Sequence, residues 1–362
     1  VRLRPLILPT AIVALLALPA AAGATPAPTT TVVTTVTTET VTTPAATPRV
    51  VPPATTTTGT TTTTPVKPPV VPQGKITFHG FRINGDFRAV LAGTKWIARG
   101  TTSIYVPGQD VVIRVWHGKK RVTSKQVRIH KQGKHGVFSA SFVAKGVGKL
   151  RIEAVHSKTD QQRTLKARPF HVTVLKRSAH AGERSLSVRF LQNMLAAKGY
   201  VVGQRNVYDA RTGRAVLAFR KMTGMARNTS ASSDVFVKLQ RGGGGFAVRC
   251  KGHGRHVEGD LTHQVLALIG AGGKVERLYP MSSGKPSTPT VLGSFRVYNR
   301  TPGTNSEGMV NSSYFIRGYA IHGYYEVPTY AASHGCLRVP IPDSLSIYNW
   351  VRYGTPVDVY YR

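Results

Sequence analysis

AIHGYY, residues 320–325, and ASHGCLRVP, residues 332–340, place two histidines and a cysteine within a short span near the carboxyl terminus. Such a set is either a nucleophile with its base or a metal site. The paired Cys-x₂-Cys or His-x₃-His spacing of common zinc sites is missing, so the expectation is no metal and no cofactor. A thiol becomes a good nucleophile when its pKa is lowered, and a histidine within hydrogen-bond reach does this. Cys336 follows Gly335, which permits a tight backbone, and precedes the apolar step Leu337 to Val339, which reads as a strand. A cysteine at such an edge has backbone N–H groups beside it that suit an oxyanion. His322 is the candidate base, while His334 points elsewhere if its segment is extended. The surrounding segment agrees with a β-rich reading. Val257, Leu266 and Leu268, Val275 and Leu278, then Phe295 and Val297 suggest strands, and Gly272-Gly273 and Gly284-Lys285-Pro286 mark turns. One short helix is expected around 343–351. The segment 246–362 is large enough for its own core.

The block Ser333-His334-Gly335-Cys336-Leu337-Arg338, with His322-Gly323 upstream, resembles the signature of the L,D-transpeptidase catalytic (YkuD-type) domain. SSGKPSTPTVLGSFRVYNR at 282–300 and GTPVDVYY at 354–361 are similar to that family's Ser-Gly-Lys…Thr-Pro-Thr…Gly-x-Phe block and last strand. The resemblance implies a β-rich catalytic domain in which Cys336 attacks a peptidoglycan stem peptide, forms a thioester and passes the acyl group to a neighbouring amine, giving a 3→3 cross-link. It implies that His322 is the general base, that the Gly323 carbonyl orients it, and that the Gly335 and Cys336 N–H groups form the oxyanion hole. Ser333, His334 and Arg338 are then substrate-binding or ordering residues. It also implies acylation of Cys336 by carbapenem-type β-lactams. An L,D-carboxypeptidase uses the same residues with water as acceptor, and a non-catalytic wall-binding protein is the other alternative.

Cys250 sits in FAVRCK, where Phe246, Val248 and Cys250 share a face if the segment is a strand. It reads as a small buried hydrophobe. Gly242 to Gly245 read as a hinge before the last domain.

Upstream, 181–241 changes to helical period. Val188, Leu191 and Leu195 recur on one face, with Ser185 or Ser187 as cap and Gly199 as stop. A second helix is expected from about Thr212 through Ala215, Val216, Phe219 and Met222, and a third after Ser232 with Val235, Phe236 and Leu239. FLQNMLAAKGY, VYDARTGRAVLAFRKMTGM and VFVKLQ resemble a peptidoglycan-binding domain. Gly203-Gln204-Arg205-Asn206 departs from that pattern, which puts its ligand groove in doubt. Residues 75–176 alternate with period two, as in Val111, Ile113 and Val115, and suggest a β-sandwich-like module. His130, His135, His156 and His171 are scattered through it without metal-ligand spacing.

The chain has 362 residues, with 49 Lys+Arg against 15 Asp+Glu and a formal net charge of +34. That balance calls for a polyanionic neighbour: nucleic acid, anionic lipid or an anionic wall polymer. Two cysteines exclude a disulfide-dense module and a four-cysteine zinc site. Residues 1–24 read as a secretory signal, with Arg2 and Arg4, an apolar run from Leu6 to Leu18, and Ala22-Gly23-Ala24 as cleavage site. An uncleaved membrane anchor is the alternative. Residues 25–73, dominated by Thr and Pro, read as an extended tether reaching on the order of 150 Å. Export removes nucleic acid as partner and places the protein outside the cytoplasm, at the wall. The expected partners are peptidoglycan stem peptides and anionic cell-wall polymers. The expectation is a multidomain, mainly β protein: a β-sandwich-like module at 75–176, a small three-helix domain at 181–241 and a β-rich catalytic domain at 246–362.

Overall fold

Strict alternation of buried and exposed side chains organises the first region. The computed structural model describes residues 76–79 and 88–362; the expected signal at 1–24 and tether at 25–73 lie outside the described residues. The strands are β1 (Ile76–His79), β2 (Ala89–Leu91), β3 (Lys95–Thr102), β4 (Asp110–His117), β5 (Lys120–Arg128), β6 (His130–Gln132), β7 (His135–Val143), β8 (Gly148–His156), β9 (Leu165–Lys166) and β10 (Phe170–Leu175). One sheet has the order β1-β3-β7-β6, the other β2-β10-β8-β4-β5, with β9 on β8. Val111, Ile113 and Val115 from the second sheet meet Trp96, Phe138 and Phe142 from the first in one apolar core. This is the two-sheet packing the period-two pattern suggested. His130, His135 and His171 are exposed, and buried His156 contacts the Asp110 carbonyl through Nδ1 at 2.9 Å.

Three helices follow: α1 (Leu186–Ala196), α2 (Ala210–Met222) and α3 (Ser233–Gln240). Ser185 caps α1 by accepting the Val188 N–H, and Asp209 caps α2 by accepting the Thr212 N–H. The second helix therefore starts two residues before Thr212. Gly203 is required by close approach, because a Cβ there would lie 2.0 Å from the Asp209 carboxylate oxygens. Gln192 holds the same loop, accepting the Asn206 N–H and donating to the Val207 carbonyl, both at 2.9 Å.

The helical core is not self-contained. Leu191, Leu195, Tyr200, Phe219 and Phe236 share one apolar cluster with Leu91 and Leu175 of the first region and with Val265, Ala267, Ile269 and Leu278 downstream. The expected Gly242–Gly245 hinge is pinned rather than free. Lys198 Nζ donates to the Gly242 carbonyl, and Tyr200 Oη donates to that of Gly244 at 2.7 Å.

The carboxyl-terminal region contains β11 (His256–Asp260), β12 (Val265–Ile269), β13 (Val275–Pro280), β14 (Gly293–Arg296), β15 (Asn299–Thr304), β16 (Val310–Ile316), β17 (Tyr319–Tyr324), β18 (Leu337–Pro340), α4 (Ile341–Trp350) and β19 (Pro356–Tyr360). One sheet runs β13-β12-β11-β19-β14 and the other β15-β16-β17-β18. Val257, Leu266, Leu268, Ile321, Leu337, Val339 and Val359 form the core between them. The architecture is mainly β, as expected. Residues 246–250, however, form no strand; they lead into a single 3₁₀ turn, Lys251–His253. Among the described residues, no helix is long and apolar enough to cross a membrane.

Candidate active site

Parallel pairing of β17 with β18 brings the two histidine-bearing segments together. The register sets Ile321 against Leu337, His322 against Arg338 and Gly323 against Val339. The other edge of β18 is held by residues 282–290. Ser282 and Arg338 exchange both backbone N–H···O bonds at 2.9 Å, and Ser333 N–H donates to the Ser283 carbonyl at 2.9 Å. Thr288 Oγ1 donates to the Ser333 carbonyl at 3.0 Å. The Ser-Gly-Lys block thus clamps the loop that carries the cysteine.

Within that loop, Ser333 Oγ donates to the Cys336 carbonyl at 2.6 Å and accepts the Gly335 N–H at 3.0 Å. Gly335 has φ +116, and a Cβ there would stand 1.8 Å from the Tyr319 ring. Only glycine fits this turn. In this arrangement the Gly335 N–H is engaged by Ser333, so of the two expected oxyanion donors Cys336 N–H is the one outside that bond. Cys336 is half-buried; its Sγ accepts the Ala320 N–H at 3.4 Å and faces the Gly318 carbonyl at 3.7 Å.

His322 is 2% exposed. Its Nδ1 lies 2.9 Å from the Gly323 carbonyl. A carbonyl only accepts, so Nδ1 carries the proton and Nε2 presents the lone pair. Tyr324 meets the imidazole edge-on at 5.6 Å, and the Arg338 guanidinium lies 4.0 Å over the Tyr324 ring. Arg338 is itself 8% exposed. Burial, aided by the Arg338 charge and opposed by the Gly323 bond, pushes His322 down to about 4. Burial pushes the Cys336 thiol up, despite opposing contributions from Ala320 N–H and Arg338. The expectation of a lowered thiol pKa is therefore reversed. Both groups are removed from water, and desolvation disfavours the charged form of each. Desolvation thus favours a neutral thiol at Cys336 and a neutral imidazole at His322.

His334 is exposed, with Nε2 3.4 Å from Lys285 Nζ. Tyr319 and Tyr324 were not singled out from sequence, and Lys285 was read only as part of a turn and of the Ser-Gly-Lys block. The tyrosines could have been noticed only through the aromatic run that flanks His322-Gly323. Both cysteines are free thiols. Cys250 differs from its apolar reading: its N–H donates to Glu258 Oε1 at 2.8 Å, and burial together with the Asp358 and Glu258 carboxylates raises its thiol to about 11.

A family model described as the L,D-transpeptidase catalytic domain (YkuD) matches residues 254–359. Among solved structures, an L,D-transpeptidase from Xylanimonas cellulosilytica is 30% identical over 51% of this chain and 98% of that chain, with a TM-score of 0.46. An L,D-transpeptidase from Stackebrandtia nassauensis is 20% identical over 51% of this chain and 95% of that one, with a TM-score of 0.32. A mutant L,D-transpeptidase from Enterococcus faecium is 29% identical over 30% of this chain and only 50% of its own, with a TM-score of 0.27. No curated protein matches the chain.

Proposed function

The chain belongs to the L,D-transpeptidase family, with its catalytic domain at residues 254–359, and from that premise we propose that it forms 3→3 cross-links in bacterial peptidoglycan through a thioester on Cys336. The supporting observation is a half-buried thiol on the loop entering β18, beside a strand whose His322 has its Nδ1 committed to Gly323. The proposed reaction starts from the neutral pair. As Sγ attacks the carbonyl joining stem residues three and four, its proton passes to His322 Nε2. The tetrahedral oxyanion faces the Cys336 N–H. Collapse breaks the amide bond; the leaving amine of residue four takes the proton back from His322, and the thioester remains. A side-chain amine of a second stem then attacks the thioester carbonyl and gives a proton to His322. The new amide forms as the Cys336 sulfur leaves and recovers that proton.

In this reading the thiol exchanges its resting partner, the Gly318 carbonyl, for Nε2 when substrate arrives. Ser333 shapes the loop, Arg338 and Tyr324 order the wall beside His322, and His334 with Lys285 forms a rim toward the donor peptide. No cofactor takes part. We place the reaction outside the cytoplasm, on the strength of the signal-like residues 1–24, with the basic surface attracted to anionic wall polymers.

The test is incubation of the protein with tetrapeptide muropeptides, followed by mass analysis of the products. Cross-linked dimers lacking one terminal residue are expected, and Cys336→Ala should form none. Trimmed monomers alone would make the protein a carboxypeptidase instead. Product formation by Cys336→Ala would overturn the nucleophile.

A further inference from the structure

A second cluster of chemically able side chains lies on the other sheet of the carboxyl-terminal region, away from Cys336. Along β11, Val257 and Gly259 face the core that contains Leu337, whereas His256, Glu258 and Asp260 project from the opposite face. The parallel register sets Glu258 directly against Asp358 of β19, and the antiparallel register sets Ser294 of β14 against the same aspartate. Two carboxylates paired across neighbouring strands are thus buried together; Glu258 is 0% and Asp358 1% exposed. Like charges so placed repel, and each requires a compensating positive charge or donor.

Glu258 is well served. It accepts the N–H groups of Arg249 and Cys250, contacts His256 Nε2 at 3.0 Å and accepts from Tyr360 Oη. Asp260 is paired with Arg362 at 2.5 Å and with His263 at 2.8 Å. Asp358 is different. Its described partners are the Ser294 hydroxyl on Oδ1 at 2.5 Å, His253 Nδ1 on Oδ2 at 3.0 Å and the Cys250 thiol, which hydrogen-bonds the same carboxylate. The 3₁₀ turn places Cys250 and His253 over this carboxylate, and one ligand atom from each of Cys250, His253 and Asp358 lies within 4.8 Å of the others. Ligand atoms around a tetrahedral zinc ion are separated by roughly 3.3–3.8 Å. A small contraction of the turn closes the difference.

We propose that Cys250, His253 and Asp358 form a binding site for a divalent transition-metal ion of the zinc class. A sulfur, an imidazole nitrogen and one carboxylate oxygen are the donor set that this class prefers, whereas magnesium and calcium favour oxygen alone. Binding replaces the Cys250 thiol proton with the metal–sulfur bond and releases that proton to solvent. Ser294 holds the far oxygen of Asp358 and so orients the carboxylate. His253 is partly exposed, which leaves the fourth position to water. The site ties the segment before β11 to β19. It is a clasp between the beginning and the end of the catalytic domain, separate from the thiol chemistry at Cys336.

Cobalt(II) titration of full-length Cys336→Ala protein tests this site without interference from the other sulfur. One equivalent should bind and show a thiolate-to-cobalt charge-transfer band, and zinc should displace it. Cys250→Ser should abolish the band, and His253→Ala should weaken binding by at least about 100-fold. Ser294→Ala, which touches only the orienting oxygen, should keep the band with about 10–100-fold weaker binding. In wild-type protein, zinc should protect Cys250 from alkylation, as read by peptide mass, so the test survives if a variant folds poorly. Absence of the charge-transfer band in the Cys336→Ala protein, or alkylation of Cys250 at the same rate with and without zinc, overturns the proposal.

Discussion

His322 and Cys336 are each shifted toward the neutral form by the removal of water around them. A preformed thiolate–imidazolium pair would need the reverse: a thiol titrating below its ordinary value and a histidine titrating above its own. With His322 near 4, the imidazole is neutral throughout the neutral range and so available for its proposed role as base, which it would lose only as pH falls through about 4. The thiol, raised above its ordinary value, yields thiolate only on the alkaline side. The rate of Cys336 alkylation by iodoacetamide should therefore climb steadily into alkaline pH, with no reactive plateau at pH 5–7. His322→Ala should change that profile little while it lowers carbapenem acylation by roughly 10²–10⁴-fold. A plateau at acid pH that disappears in His322→Ala would show an ion pair instead. That these two residues lie on adjoining segments was legible because the motif is local: Cys336 follows Gly335 and the His-Gly pair lies one strand away. Their ionisation was not legible. It depends on burial and on the Arg338 charge, which the strand register places beside both groups. Cys250 was misread for the same reason, since the carboxylate facing it arrives from β19, more than a hundred positions later.

Elements join through charge as well as apolar packing. Arg214 on α2 makes a two-pronged contact with Asp343 on α4, Nε to Oδ2 at 2.6 Å and Nη2 to Oδ1 at 3.1 Å. Arg211 adds a second guanidinium at 3.3 Å. Asp343 is 1% exposed, so removing Arg214 leaves a buried carboxylate with one partly exposed partner. Losing half of a buried pair costs about 3–5 kcal/mol when nothing replaces it, and Arg211 reduces this to about 2–3 kcal/mol here. Denaturant unfolding of Arg214→Ala should show that loss, and Arg214→Lys should recover only part of it because a lysine lacks the fork. A loss below about 0.5 kcal/mol would place the pair among the weak surface bridges. The helices themselves were readable, because Val188, Leu191 and Leu195 keep the helical period and Ser185 is a good cap; the Asp209 cap was missed, which put the start of the second helix two residues late. The failed strand at 246–250 rested on only three alternating residues. Glu258 draws in the N–H groups of residues 249 and 250, which bends the segment away from any ladder.

At the scale of the whole molecule, β12 decides how far the regions are independent. Its sequence, VLALI, is apolar without alternation, the pattern of a strand covered on both faces. Leu266 and Leu268 enter the core behind β18, while Val265, Ala267 and Ile269 enter the helical core. The segment 181–241 looks from sequence like a removable binding domain, and its proposed affinity for peptidoglycan would add to the attraction of a strongly basic surface for an anionic wall. Its helices nevertheless cover one face of the β13-β12-β11-β19-β14 sheet. Deleting them would expose Val265, Ala267, Ile269 and Leu278, each larger side chain being worth about 1.5–3 kcal/mol when buried. That sum approaches the total stability of an ordinary domain, about 5–15 kcal/mol. A protein lacking 181–241 should therefore lose cooperative thermal unfolding and should acylate with a carbapenem far more slowly, although Cys336 and His322 remain in the chain. Differential scanning calorimetry and intact-mass kinetics on the same sample check both outcomes. Cooperative unfolding with a wild-type acylation rate would mean that β12 tolerates an uncovered face, and that the helices serve the wall rather than the fold.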